Sequence, residues 1–493
     1  MMKDAGHPQG LSTGIRSFAV IKERGCAKAS LFLVALRKTL YNTEVSDNGK
    51  NRGNVMKTLS ILSARVLARA LSLIKRGGSL PGQIALRIDP DVLSKLKYEG
   101  IVILVTGTNG KTSTSNMIAD LMMHAGKTVI SNRRGDNMRA GVATAILTHC
   151  SLSGKVRGNA LVLEVDELNV RHLLPQLPVN AMVVTNFFRD QLDRAREMEQ
   201  LIATIEHALG SFSGTLVLNA DDPNVMRLAD HAPNASLHTF GVARNAASTA
   251  QTGEASEGKF CPRCGSRLIY DYYQYSHVGS FRCSGCAFCS PKPDVLLSDV
   301  DLEDHRFSWQ QHAFKSPAQG LYTIYNCAAV CAVADLFHIS VQALQNVFDH
   351  APQPKGRNEK FKIKETECIL NLVKNPTGAN EVMKVIEADD RRKSVLIVLN
   401  DREQDGTDVS WIYDTHFEKF INEQTAAVIC TGTRAYDMAL RMKYEGYEGE
   451  LRIIADLQQA VDALIAQQEG CVLYAIATYT ALLPTRNAIV RRL

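Results

Sequence analysis

The stretch IVILVTGTNGKTST, Ile101 to Thr114, decides how the chain is to be read. Five of its first six residues are β-branched, which suits a strand buried on both faces. Gly107 and Gly110 then flank Thr108 and Asn109, and Lys111, Thr112 and Ser113 open the helical pattern SNMIADLMM. A strand feeding a glycine-rich turn and then a helix is the setting of a phosphate-binding loop. Backbone N–H groups of Gly107 to Thr112 are expected to point inward, and the helix N-terminus adds partial positive charge. Lys111 is expected along the β- and γ-phosphates of a nucleotide, with the Thr112 hydroxyl on Mg²⁺. The general formula places a glycine five residues before Gly110, where Val105 stands. The loop is therefore a shortened form.

Outward from the loop, apolar runs alternate with helical patterns. KTVIS (127–131), ALVLEVD (160–166), AMVVTN (181–186) and TLVLNAD (215–221) read as strands, with helices such as MEQLIATIEHALG between them. This predicts a mainly parallel sheet covered on both sides. The alternation breaks near residue 243 in a small, polar linker, resumes in mixed form around PDVLLSDVDLEDHRFSW, and passes into a helix at NCAAVCAVADLF. After HAPQPKGRNEK, the runs CILNLV, SVLIVLN, AAVICTG, LRIIA and CVLYAIA make a second series, beginning at about Phe361. The expected organisation is an α/β nucleotide-binding domain over 56–353, interrupted by an insertion at 255–295, and a C-terminal α/β domain over 354–493.

The insertion carries five of the twelve cysteines. Cys261-x₂-Cys264-x₁₈-Cys283-x₂-Cys286, with Gly265 after the first pair, is the spacing of a zinc ribbon. Four thiolates close a tetrahedron, so the metal would be structural and would contribute on the order of 10 kcal/mol to folding in an isolated finger. Cys289 leaves the second pair open, since Cys286 and Cys289 also have two residues between them. His277 reads as an ordinary residue of the ribbon strands.

The remaining cysteines show no framework spacing, which suits a reducing cytoplasm. The formal charge of +5 divides unevenly. Residues 1–76 hold 14 Lys/Arg against 4 Asp/Glu, the rest 42 against 47. A mildly acidic body argues against a general nucleic-acid binder. No apolar run is long enough to span a membrane, and ASLFLVAL is short, lies about 30 residues in and lacks the small-residue cleavage site of a signal peptide. Residues 1–55 are expected as a disordered extension or an upstream start. The basic helix that begins at Met56 has two readings, packing on its own domain or resting on the inner membrane face.

Further residues carry a resemblance. TGTNGKTST is the form of the loop in Mur ligases and folylpolyglutamate synthetase, and the chain is similar to both. LVLEVDE resembles the family strand that ends in a Mg²⁺-binding Glu, here Glu164. TNFFRDQLDR matches the family's TN-x₃-D-x₂-DR through Thr185, Asn186, Asp190, Asp193 and Arg194. NADDP (219–223) resembles the strand end near the nucleotide, and GRNE puts Arg357 at a nucleotide-contacting position. In GLYTIYN, Asn326 fits the pattern while Thr323 replaces an Asn. The resemblance implies ATP and Mg²⁺ as cofactors and an acyl phosphate formed on a carboxylate, with Lys111 and Glu164 as catalytic groups. Gly107, Thr108, Asn109, Gly110, Lys111, Thr112, Ser113, Asn326 and Arg357 would hold the nucleotide.

The inserted cysteines narrow the resemblance to the MurT family, synthetase subunits of lipid II isoglutaminyl synthase, from about Met56 to Leu493. It implies amidation of D-glutamate in the lipid II stem peptide, at the inner face of the membrane, with ammonia from a GatD-type glutamine amidotransferase partner. LNDREQDGTDVSWIYD sets Asp401, Asp405, Asp408 and Asp414 in or after a loop at a strand end. By itself that is a polar turn. The resemblance implies that Asp405 completes the partner's Cys–His pair, where a carboxylate orients the imidazole. Two rival readings are a stand-alone amino-acid ligase and a zinc-ribbon nucleotidase that binds nucleic acid.

Overall fold

A computed structural model describes residues 49–73, 78–133, 136–188, 198–251, 258–352 and 356–493. Helix α1 (Gly49–Leu73) begins seven residues before Met56, since extending a formed helix costs little. Ile61 and Ala64 are buried, and Ser60 donates to Ala85 O of α2 (Leu80–Ile88) at 3.1 Å. That inner face packs on its own domain, while Arg69 on the outer face is exposed. Residues 1–48 lie outside the described set. Among the described residues, no helix is long and apolar enough to cross a membrane.

The alternation then follows the apolar runs: β1 (Ile101–Thr106), α3 (Lys111–His124), β2 (Val129–Ser131), α4 (Arg139–Thr148), β3 (Ala160–Glu164), β4 (Ala181–Val184), α5 (Met198–Leu209), β5 (Thr215–Asn219) and β6 (Ser236–Val242). The insertion folds as a hairpin, β7 (Leu268–Tyr275) and β8 (Val278–Cys283). Next come β9 (Val295–Asp301), β10 (Arg306–Trp309), β11 (His312–Lys315), α6 (Leu321–Leu336) and α7 (Val341–His350). Nine strands form one sheet in the order β11-β10-β9-β6-β5-β4-β1-β3-β2. It is parallel from β2 to β9 and antiparallel only at the β9–β11 edge. Alternate residues of β1 enter different cores, Val102 and Leu104 on one face, Ile103 and Val105 on the other. The second face is covered by α3 and α6, whose small residues Ala328 to Ala334 are wholly buried and allow close approach to the sheet.

The C-terminal unit runs β12 (Glu359–Ile363), β13 (Thr366–Leu372), α8 (Pro376–Glu387), β14 (Lys393–Val398), β15 (Thr425–Thr431), α9 (Ala435–Tyr444), β16 (Glu450–Ile453), α10 (Leu457–Ala466), β17 (Val472–Ala477) and α11 (Tyr479–Val490). Its sheet order is β12-β13-β17-β14-β15-β16, parallel except for β12. Each face has its own apolar core. The C-terminal strand ends of this sheet bring α8 against the phosphate loop: Asn375 Nδ2 donates to Asn109 Oδ1 at 3.2 Å.

Candidate active site

Val105 answers for the missing glycine. It lies inside β1, wholly buried and paired with Glu164 of β3 and Val183 of β4, so the loop starts only at Gly107. Gly107 has φ +121°, and a Cβ there would come within 2.3 Å of Thr185 Oγ1. Gly110 has φ +83°, and a Cβ would come within 2.1 Å of Asn326 Oδ1. Both positions therefore need glycine for conformation and for space. Two donors that the sequence assigns to phosphate are otherwise engaged. Thr108 N donates to Asn186 O at 2.9 Å and Asn109 N to Asn186 Oδ1 at 2.8 Å. The first turn of α3, whose N–H groups have no intrahelical partner, still offers donors to a phosphate. Thr112 and Ser113 stand on that turn, Thr112 exposed.

Lys111 is folded back. Its Nζ donates to Gly107 O, to Thr108 O at 3.2 Å and to Glu167 Oε1 at 2.8 Å, all buried. Burial pushes the Glu167 carboxyl up, and the Lys111 ammonium opposes that shift. Nothing in the sequence marks Glu167 as the partner of Lys111, although it stands three residues after Glu164. Glu164 Oε1 accepts from Asn137 Nδ2 at 3.0 Å, while Asn132 holds its backbone N–H and carbonyl at 2.9 and 2.8 Å. Glu164 Oε2 is buried and accepts no hydrogen bond. A buried, undonated carboxylate oxygen is costly unless a cation meets it. That suits Glu164 as a Mg²⁺ ligand beside the loop.

A slot of about 80 Å³ runs from Asn109 and Gly110 past Phe188, Tyr275, Tyr322, Asn326 and Arg357. It opens into a cleft of about 850 Å³ between the two sheets, Tyr275 and Tyr322 lining both. Asn326 and Arg357 thus face the same space as the loop. Thr323 turns its hydroxyl to Gln319 O at 3.1 Å, and its neighbour Tyr322 lines the slot instead. Lys374 and Asn375 close the slot from the C-terminal unit. The strand end followed by an Asn-Pro helix start was the signal for them, since Asn375 caps α8 through Gly378 N at 2.8 Å. Asp190, Asp193 and Arg194 lie outside the described residues.

The four thiols of Cys261, Cys264, Cys283 and Cys286 lie within 4.8 Å of one another. Cys261 and Cys286 are 3.6 Å apart, Cys264 and Cys283 3.4 Å. A tetrahedron with zinc–sulfur bonds of about 2.3 Å has edges of roughly 3.8 Å. The set therefore fits a tetrahedral thiophilic metal, and the geometry selects Cys283 with Cys286. Cys289 is exposed and outside it. His277, at the far end of the hairpin, is wholly buried against Asp222.

The aspartate loop follows β14. Asp401 pairs with Arg434 at 2.7 Å, and Asp408 Oδ1 accepts from Ser410 N at 2.8 Å in an exposed turn. Asp405 is 3% exposed. Its Oδ1 accepts from Thr480 N at 2.7 Å and its Oδ2 from Arg402 N at 3.2 Å and from the Thr480 hydroxyl. Asp405 lines neither the slot nor the cleft. Trp411 packs against the core of the C-terminal unit.

Residues 105–334 match the family model of the Mur ligase middle domain, and 372–482 that of the MurT ligase C-terminal region. Over 430 residues the chain is 34% identical to the lipid II isoglutaminyl synthase (glutamine-hydrolyzing) subunit MurT of Staphylococcus aureus, covering 87% of this chain and 96% of that one. To the subunit of the same name from Streptococcus pneumoniae it is 32% identical over 444 residues, 89% and 98% of the two chains. A pseudomurein peptide ligase type C from Methanothermus fervidus shares the fold at TM-score 0.62 and 19% identity, over 82% of this chain and 81% of that one. The paired sheets and the shortened phosphate loop are those of a Mur ligase, an ATP-dependent ligase. Within that class the chain belongs to the MurT family.

Proposed function

We propose that this chain is the synthetase half of a two-subunit amidotransferase acting on lipid II at the inner membrane face. A carboxylate oxygen of the D-glutamate α-carboxyl attacks the γ-phosphorus of ATP, and ADP leaves. Ammonia from a GatD-type glutaminase then attacks the acyl carbon, phosphate departs with that oxygen, and D-isoglutamine remains. The observation that carries this reading is the near end-to-end similarity to relatives named as subunits of a glutamine-hydrolysing lipid II isoglutaminyl synthase.

Each residue has a physical task in this scheme. ATP facing a carboxylate concentrates negative charge, which must be offset before attack. Lys111 exchanges Glu167 for the β- and γ-phosphates, and the first turn of α3 supplies N–H donors. Thr112 and Glu164 would hold Mg²⁺, which supplies charge neutralisation between phosphate and acceptor. Gly107 and Gly110 admit the phosphates, Thr108, Asn109 and Ser113 shape the loop, and Asn326 and Arg357 serve the base side. The four thiols would hold one structural Zn²⁺, checked by metal content: about one zinc per chain, lost in Cys264→Ser.

Asp405 would orient the histidine of the partner's Cys–His pair. Thr480 fixes its rotamer, and an ionised carboxylate retains acceptor capacity beyond these bonds. The reading is tested by assaying lipid II amidation with a co-purified glutaminase partner. ATP- and glutamine-dependent amidation only in the presence of both chains supports it. Equal glutamine-driven activity of the chain alone overturns the two-subunit scheme.

A further inference from the structure

The inserted hairpin is exposed at its thiol end and buried at its turn. Cys264 is exposed, whereas Gln274, Tyr275, Ser276, His277 and Val278 are 5% exposed or less. A metal knuckle that only stabilised its own insertion would not need a turn driven into the core. The turn is tied to the end of β5. Gly279 N donates to Asp221 O at 2.8 Å, and His277 Nε2 lies 3.3 Å from Asp222 Oδ1. Gln274 Nε2 donates to Val242 O at 3.0 Å, which fastens β7 to β6.

Phe188 receives this turn. Its ring centroid is 4.6 Å from that of His277 and 5.8 Å from that of Tyr275, the latter pair stacked. Tyr275 also meets Tyr325 of α6 edge-on at 5.5 Å. The backbone of Phe188 holds the phosphate loop in turn: Phe188 N donates to Thr108 Oγ1 at 3.1 Å, and that hydroxyl donates to Phe188 O at 3.2 Å. The tip of the insertion and the phosphate loop therefore share one residue.

Tyr275 stands where the narrow slot widens into the cleft, and Tyr322 lines both spaces with it. The slot begins at Asn109 and Gly110, its phosphate end, and runs past Asn326 and Arg357 toward the wider cleft. A nucleotide with its phosphates at Gly110 carries its base along the slot toward Tyr275 and Tyr322, which line both spaces. We infer that the turn of the cysteine-bearing hairpin forms the base-side wall of the nucleotide pocket, with Tyr275 as its contact residue. This rests on the reading of the loop as an ATP site. It gives the insertion a part in nucleotide recognition that its cysteines alone do not indicate.

The test compares two ligands on the full-length chain by calorimetry: a non-hydrolysable ATP analogue and inorganic tripolyphosphate, which has no base. Tyr275→Leu keeps an apolar side chain and removes the aromatic face. It should weaken the analogue about tenfold, as loss of a base-stacking ring does, and leave tripolyphosphate within twofold. Tyr275→Phe should bind both as wild type does. Unchanged analogue affinity in Tyr275→Leu overturns the inference. An equal loss for both ligands also overturns it, because the substitution then acts through the phosphate loop. Failure of the wild-type chain to bind either ligand would instead refute the ATP site on which the inference rests.

Discussion

Two loops follow central strands of two parallel sheets, and they are built in opposite ways. After β1, the phosphate loop is satisfied only in part by its own chain. Glu164 Oε2 is buried without a donor, and Lys111 is held by Glu167 and by carbonyls of its own loop. After β14, the aspartate loop is closed on its own chain. Both oxygens of Asp405 are engaged, by Thr480 and Arg402. The first loop thus keeps one buried acceptor open beside its lysine. The second is a rigid mount, which suits a group that must present one carboxylate orientation to another protein.

The sharpest way to separate the two is Asp405→Asn. Glutamine-driven amidation should fall about 10²–10⁴-fold, as when the orienting carboxylate of a triad is lost, while activity with free ammonia stays within twofold. Parallel rates with both nitrogen sources measure this. Equal losses would make Asp405 a structural residue of the C-terminal unit. Lys111→Ala should reverse the pattern, lowering both activities together by about 10²–10³-fold, since both need the same phosphoryl transfer.

Smaller effects refine the picture of the first loop. Glu167→Gln leaves the buried Lys111 ammonium without its counter-charge and should destabilise the nucleotide-free protein by about 3 kcal/mol. Bound ATP analogue should restore more of that loss than it adds to wild type. Melting temperatures with and without the analogue check this, and an equal ligand shift in both proteins would contradict it.

The smallest expected effect concerns Asp221, which joins β5 to the inserted hairpin. Burial pushes its carboxyl from 3.8 up to about 6, although the Tyr325 hydroxyl donates to it at 2.7 Å. The folded state thus keeps this proton longer than the unfolded one. The group reduces stability progressively as pH rises from about 4 to about 6, and the full cost is present above that. Two pKa units correspond to about 3 kcal/mol at most. Wild type should therefore gain stability relative to Asp221→Asn between pH 7 and pH 5, as followed by thermal melts. A constant difference across that range would show that Asp221 does not titrate there.

What could be read from the sequence follows from what sequence encodes locally. Runs such as IVILVT and SVLIVLN mark strands because both faces are apolar, and strands were found at these places. The cysteine spacing brought four thiols together because a knuckle is a local turn, here with Gly265 at φ +74°. Pairings between distant segments left no such trace. Glu167 meeting Lys111, Asn375 meeting Asn109 and Tyr275 entering the slot join residues 56 to 266 positions apart or bring an insertion back into the core. The sequence shows the antiparallel edge β9–β11 only as mixed structure, since β9 ends in the polar SDVD and β10 and β11 have four residues each.

The central claim is that the phosphate loop activates a carboxylate. It is tested most directly with lipid II carrying ¹⁸O in the D-glutamate α-carboxyl, turned over with ATP and ammonia. The account predicts one ¹⁸O atom in each phosphate released. Phosphate free of label, with amide formed, would contradict it.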